Sequence, residues 1–600
     1  MLTLSPLQTL PLHAIQIVVD HVVGSSRVRY DGVRPNSNEY RTLLRPLLWI
    51  CHGFHAIAYP RYCYLAKLNF ARLRSNSFAT QNPPHFPLSS GYRLLYDFRY
   101  PTHHLARELV IELLAKDIYS GKALRCLSQA PYDGCAFPLV RRITFIVFVD
   151  TIYTDYEAHD SAWVSRMNEL FNLGEDNATG LADIEDRTTD PLEIEANVSS
   201  FVQRVKEMAP ELGEIEVRLV SDTRPERTDR HVEELISQLF RLVSRVTYRD
   251  YDGYSAAVDL QINPVSNLVH IEHSSELIHT SFAQLVQRNS STLRSLVIGN
   301  SNDIDLGAFM KTSDDTHITY PRLEALKLTG LWDYPELPTS AFKDVIPFPC
   351  LRSLSLQVCY PFDDDTLFRG NATTLTYLEM GLDNRTISIL LKYNVFTQSS
   401  HPKLSYVNFE EIGDIVPHSF NDYADYVQFS LSIAPKAAAR AIGGISSRTL
   451  LVPALPLLCD YACIQVLMLP YVCVDHWQVI ALIKSLPLLS DLHAPPPSLG
   501  SRPTGIVDEQ LPAYVISHYS PIGKRFRCWH LSCDARAIDL QGVIRAVLLL
   551  ALVCPNFDCF NTGCTRRNQF RELMEVGIAS DMFKEYAPRL RRLLFNAWRG

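Results

Sequence analysis

The chain has 600 residues, 57 of them basic and 65 acidic, with a net charge of −8 and a hydrophobic fraction of 47%. That length exceeds what one compact core can hold, so several domains or an extended repeat are expected, and the composition excludes a wholly disordered chain. The mildly acidic balance argues against broad electrostatic binding of nucleic acid, and the longest apolar run near a terminus, Ala546 to Cys554, is nine residues where a spanning helix needs about twenty.

At the N-terminus, residues 1–20 carry no Lys or Arg ahead of an apolar stretch and no small-residue cleavage site, so no export signal is expected. The 14 cysteines are then expected to be reduced and mostly buried. The sequons at Asn197 and Asn371 become chance matches, and the expected compartment is the cytoplasm or nucleus. Leu10-Pro11 opens a segment in which Ile15, Val18, Val19 and Val22 fall on one helical stripe; proline is tolerated in a first helical turn. A polar stretch runs from Gly24 to Glu39, and a second helix from about Pro46 places Leu47, Ile50, Cys51, Phe54 and Ile57 on one face.

This segment resembles an F-box. Leu10 and Pro11 match the family's opening pair, and Ile15, Val18, Val19 and Val22 its apolar positions. Leu47, Ile50, Cys51 and Phe54 match its Leu-x-x-Val-Cys-x-x-Trp segment, with Phe54 standing where Trp is frequent. His13 replaces an acidic residue and Ala14 a larger aliphatic. The resemblance implies that Leu10, Pro11, Ile15, Val18, Leu47, Ile50, Cys51 and Phe54 bind a Skp-type adaptor, and through it a cullin. The module is assigned to residues 1–60, and residues 61–134 to a helical and strand connection.

From about residue 135 the pattern apolar-x-x-apolar-x-apolar recurs. Its clearest copies are Leu293/Leu296/Ile298, Leu323/Leu326/Leu328, Leu351/Leu354/Leu356 and Leu375/Leu378/Met380, whose starts lie 30, 28 and 24 residues apart. Leu404/Val407/Phe409 follows 29 residues later. Looser copies occur at Val140, Leu212, Val243 and near Leu268, and at Ile464, Leu489, Phe526, Phe557 and Leu590. Alternation at the last two positions of each copy predicts a strand with one buried face. Helix-compatible stretches such as 281–287 and 543–553 lie between them. A strand and a helix every few tens of residues resembles a leucine-rich repeat, and Leu351/Leu354/Leu356/Cys359 completes that family's longer form.

Two stretches interrupt the pattern. Residues 174–196 hold eight acidic residues and one Arg and read as a solvated loop insertion, mobile and dispensable for the fold. Residues 410–463 hide a cryptic copy near Ala438–Ile445. Nucleotide-loop, zinc-protease, nucleophile-elbow and calcium-loop patterns are missing from the sequence, so no active site and no cofactor are expected. Cys528, Cys533, Cys554, Cys559 and Cys564, with His530 nearby, are spaced more widely than a zinc knuckle and read as packed thiols. Asp363, Asp364 and Asp365 read as a solvated turn, and the basic-apolar alternation of 589–598 as the last repeat.

The expected fold is therefore α/β: an N-terminal helical F-box-like module, then an irregular leucine-rich-repeat solenoid over 135–600, with a concave parallel sheet and helices on the convex side. The implied function is substrate recognition in a Skp–cullin–F-box ubiquitin ligase. The repeats would bind an unidentified protein target, with neither nucleic acid nor membrane as partner. The competing expectation is a repeat-based interaction scaffold without a ligase role, in which the hairpin caps the first repeat and buries its apolar stripe.

Overall fold

The computed structural model describes residues 15, 65–69, 105–128, 137–148, 190–220, 230–250, 265–274, 280–299, 309–311, 316–329, 345–357, 365–368, 370–382, 384–393, 395, 401–411, 423–433, 435–442, 449–450, 455–469, 472–494, 510–531, 540–557, 559–561, 574–588 and 590–591. They fall into two units, residues 1–318 and 319–600.

The first unit carries seven strands: β1 (Leu65–Asn69), β2 (Glu108–Leu114), β3 (Arg142–Phe148), β4 (Glu214–Val220), β5 (Arg245–Asp250), β6 (His270–Ser274) and β7 (Ser295–Gly299). Each pairs in parallel with the next. Helices α1 (Ala115–Tyr119), α2 (Lys122–Leu127), α3 (Pro191–Met208), α4 (Arg230–Phe240) and α5 (Thr280–Arg288) lie between them in sequence. Because side chains alternate along a strand, the register aligns Leu109, Ile143, Ile215, Val246, Ile271 and Leu296 in one row. All six are buried. The helices cover this face: Phe201 of α3 meets Phe145 of β3 at 6.2 Å between ring centroids, and Phe282 of α5 meets His273 of β6 at 4.2 Å.

Two expectations change here. The sheet reaches back through β2 to β1, into the stretch assigned to a connection. Strand β2 carries the repeat motif as Ala106/Leu109/Ile111, all three buried, and alanine at the first position hides it. The acidic run also ends differently from a loop. Asp190 caps α3, its carboxylate accepting from Leu192 N at 3.1 Å, with Pro191 in the first turn. Glu193 and Glu195 then sit where the helix dipole favours negative charge. Ile194, Val198, Phe201, Val202, Val205 and Met208 form the buried stripe. That stripe begins inside the acidic run, where charge density conceals its period. Residues 174–189 lie outside the described residues.

The second unit continues the pattern with β8 (Ala325–Thr329), β9 (Ser353–Gln357), β10 (Tyr377–Leu382), β11 (Tyr406–Glu411), β12 (Ala439–Ile442), β13 (Thr449–Leu450), β14 (Val466–Met468), β15 (Val472–Cys473), β16 (Asp491–Ala494), β17 (Cys528–Leu531) and β18 (Cys559–Asn561). Strands β13 and β15 pair only with each other. The other nine form a parallel series. Helices α6 (Asn384–Lys392), α7 (Tyr423–Ser432), α8 (Leu455–Cys459), α9 (His476–Ser485), α10 (Leu511–Tyr519) and α11 (Leu540–Val553) fall between strands in sequence. Both units are thus open parallel stacks with one strand per repeat, the form of a leucine-rich-repeat solenoid, in which each repeat buries its apolar face against its neighbours.

The core row of this unit reads Leu326, Leu354, Leu378, Val407, Arg440, Leu467, Leu492 and Trp529. The cryptic copy at 438–445 is β12, and it was cryptic because an arginine holds the leucine position. Arg440 is 0% exposed. Its guanidinium donates to Ser430 O at 2.9 Å and Ile433 O at 3.2 Å, carbonyls that end α7. It thereby serves as a C-terminal cap delivered from the neighbouring strand.

Two kinds of turn recur before the strands. In one, a buried asparagine four residues before the first leucine holds the turn. Asn289 Nδ2 donates to Val265 O and Leu285 O at 3.1 and 2.8 Å, and Asn371 Nδ2 donates to Leu367 O at 2.6 Å. In the other, a buried ring precedes proline, at Tyr320, Phe348 and His401. The asparagine that serves the backbone in these repeats thus precedes its strand, whereas Cys359, which completes the longer motif after a strand, lies outside the described residues. The last expected copy is corrected: Leu590 is helical. No β-branched residue occurs from Lys584 to Phe595, so helix formers prevail there. Leu593 and Phe595 lie outside the described residues. Among the described residues, no helix is long and apolar enough to cross a membrane.

Candidate functional site: the outward face of the sheet

The residues that alternate with the core rows face away from the helices. On the first unit they build an ionic network around Glu216, itself 1% exposed. Its carboxylate accepts from Arg142, from Thr144 Oγ1 at 3.2 Å and from Arg218 Nε at 2.8 Å, and pairs with Arg249 Nε at 3.4 Å. Arg142 also pairs with Glu214 at 2.7 Å, and Arg249 with Glu272 at 2.7 Å. Burial pushes the Glu272 carboxyl up, but His270 and Arg249 together outweigh it and hold the group below its ordinary value. Alternating charges across adjacent strands tie this face to itself.

On the second unit the corresponding centre is Glu379 of β10. Its oxygens accept from Ser355 Oγ at 2.6 Å, Gln357 Nε2 at 3.0 Å, Asn408 Nδ2 at 3.2 Å and the Tyr377 hydroxyl at 3.3 Å. Tyr377 and Tyr406 are register partners and stack with centroids 4.3 Å apart and planes within 1°. Burial, and next the Glu379 carboxylate, push the Tyr377 hydroxyl above its ordinary pKa, so it stays a hydrogen-bond donor. The result is a rigid aromatic platform beside a carboxylate whose surroundings are already hydrogen-bonded.

Further along, β16 and β17 bring Asp491, His493, Cys528 and His530 onto the same face. Asp491 pairs in register with Cys528, and His493 with His530. The two imidazoles stack at 4.1 Å. Burial, then His530, bring His493 down to about 4 against the pull of Asp491, and burial lowers His530 as well. Both rings are neutral at physiological pH.

Among the expected adaptor-binding residues only Ile15 is described. It is helical and 2% exposed. Leu10, Pro11, Val18, Leu47, Ile50, Cys51 and Phe54 lie outside the described residues. Of the cysteines read as packed thiols, Cys528 and Cys559 are register partners on β17 and β18. Cys554 is buried at the end of α11, where burial pushes its thiol up to about 12, while Cys528 and His530 join Asp491 of the neighbouring strand. Cys533 and Cys564 lie outside the described residues. Of the acidic triplet only Asp365 is described, and its carbonyl accepts from Phe368 N at 2.9 Å in a turn. Asn371, the chance sequon, is 0% exposed. Sequence reasoning missed Glu216 and Glu379. Their available signal was position: each sits between two core positions of a repeat strand, facing outward.

No protein-family model matches the chain, and no curated protein matches it. Among solved structures it is similar to one titled as the crystal structure of a TLR13–ssRNA13 complex, at 12% identity and a TM-score of 0.31, covering 71% of this chain and 59% of that one. The chain therefore spans less than two thirds of the length of that solved chain.

Proposed function

We propose that the chain is a protein-binding repeat scaffold whose outward sheet face holds the partner. The observation that carries this is the Glu379 centre with the Tyr377–Tyr406 stack. It combines a rigid amphipathic aromatic surface, which gives large contact area at little entropic cost, with fixed polar groups that select orientation. The chain contributes binding and effective concentration rather than bond chemistry. Its place of action on this reading is the cytoplasm or nucleus.

The test is comparative affinity purification of the full chain. Partners retained by the wild type should be lost from the double variant Tyr377→Ala/Tyr406→Ala and kept by Leu391→Ala, a substitution at an exposed helical leucine. A partner set indifferent to the tyrosines would overturn the assignment of this face.

A narrower reading makes the scaffold the substrate receptor of a Skp–cullin–F-box ubiquitin ligase. It rests on the resemblance of Leu10-Pro11 and the Leu47/Ile50/Cys51/Phe54 segment to an F-box. Copurification of a Skp-type adaptor, abolished by Leu10→Ala/Pro11→Ala or by Phe54→Ala, would establish the ligase role. Failure of the intact chain to bind the adaptor would leave the scaffold alone.

A further inference from the structure

Among the described residues one group of metal-ligating side chains converges: Asp491, Cys528 and His530 each offer one ligand atom, and these atoms all lie within 4.8 Å of one another. We propose that these three side chains bind a zinc ion on the outward face of the second unit. The inference is independent of the protein-binding role.

The strands supply the geometry. Asp491 and Cys528 are direct register partners, and His530, two residues along the same strand, returns to the same face. In tetrahedral zinc sites the ligand distances of 2.0–2.3 Å place donor atoms roughly 3.4–3.8 Å apart. Closing from 4.8 Å or less asks for at most about 1 Å of side-chain movement on a rigid parallel frame, within ordinary rotamer adjustment. The Ser490 hydroxyl holds Asp491 Oδ2 at 2.5 Å. That fixes the carboxylate and leaves its other oxygen for the metal, the role outer-shell hydrogen bonds serve at metal centres.

The donor set selects the ion. One thiolate, one imidazole and one carboxylate are too soft for magnesium or calcium, which take oxygen alone, and too mixed for an all-sulfur copper(I) site; zinc accepts all three. Cys528 is 6% exposed, and a thiolate so covered is stabilised by a bound cation. Among the described residues three side chains supply ligands, and a tetrahedral ion takes a fourth.

The site is tested by titrating the chelator-treated full chain with Co²⁺, which reports thiolate ligation as a sulfur-to-metal charge-transfer band. The wild type should develop a saturable one-to-one band that Zn²⁺ displaces. Cys528→Ala should remove the band, and His530→Gln should weaken cobalt binding at least tenfold. Asp491→Asn keeps the shape of a part-exposed side chain, so it tests the site even where the cysteine variant folds poorly; it too should weaken binding at least tenfold. Absence of a saturable band in the wild type, a band unchanged in Cys528→Ala, or an unaltered cobalt affinity in Asp491→Asn would overturn the proposal.

Discussion

At the scale of single residues, the two most informative side chains break the apolar pattern of the core. Arg440 takes a leucine place in the ladder and uses it to cap α7. Burial brings its guanidinium down to about 10, still protonated at neutral pH. Arg440→Ala should cost about 3–5 kcal/mol, because it opens a cavity and strips the donors from two buried carbonyls. Arg440→Met refills most of the volume and should cost less, about 1–3 kcal/mol. Denaturant unfolding of the two variants checks this, and an Arg440→Met variant as stable as the wild type would contradict the capping account. His273 faces the core at 4% exposure, between Tyr248 and Phe282, and burial brings it down from 6.5 to about 3. Between those values the unfolded chain takes up a proton that the folded chain refuses. Stability contributed by the neutral ring is therefore complete above about pH 6.5 and falls as the pH drops, by at most about 1.4 kcal/mol per pH unit. Melting temperature measured from pH 7 to pH 4 should fall less steeply for His273→Phe than for the wild type.

At the scale of elements, each helix and strand is set by local chemistry that the repeat then reuses. Asp475 and Gln478 close a reciprocal box at the start of α9, with bonds of 2.9 Å in both directions, and Asp190 caps α3. Asp190→Ala should lower stability by about 1 kcal/mol, as loss of an N-cap does, measurable as a reduced denaturation midpoint. This result would separate the cap from a solvated loop, where the substitution is silent. In the strands, Leu354 is 0% exposed and lies in register between Leu326 and Leu378. Leu354→Ala should cost about 2–5 kcal/mol. Equilibrium unfolding that shows less than 1 kcal/mol would mean the row is not the core. The leucine copies were legible because consecutive motifs reuse one spacing. The copy in β2 was illegible because alanine replaces leucine, that in β12 was legible only as a cryptic copy because arginine does, and Leu590 was misread because the motif spacing alone does not distinguish a strand from a helical turn.

At the scale of the whole molecule, a repeat stack has mainly nearest-neighbour contacts, so its stability is distributed rather than held in one core. Hydrogen exchange should therefore show Leu354→Ala lowering protection in β8–β10 while leaving β3–β5 unchanged; a uniform loss along the chain would contradict a one-dimensional stack. The two units meet the same need with different chemistry. The outward row of the first is an ionic network on Glu216, and that of the second a hydrogen-bonded centre on Glu379 beside stacked tyrosines. What the sequence by itself determined is the repeat, its strand-and-helix unit and the face each strand buries, because apolar spacing is a local property and burial follows from it directly. What only the tertiary structure decided is which outward residues meet. Asp491 and Cys528 are 37 positions apart in the chain yet opposite in register, and Glu216 gathers arginines from β3, β4 and β5. Loops of unequal length separate these strands, so no fixed spacing announces such neighbours, and only the parallel pairing of the backbone brings them together.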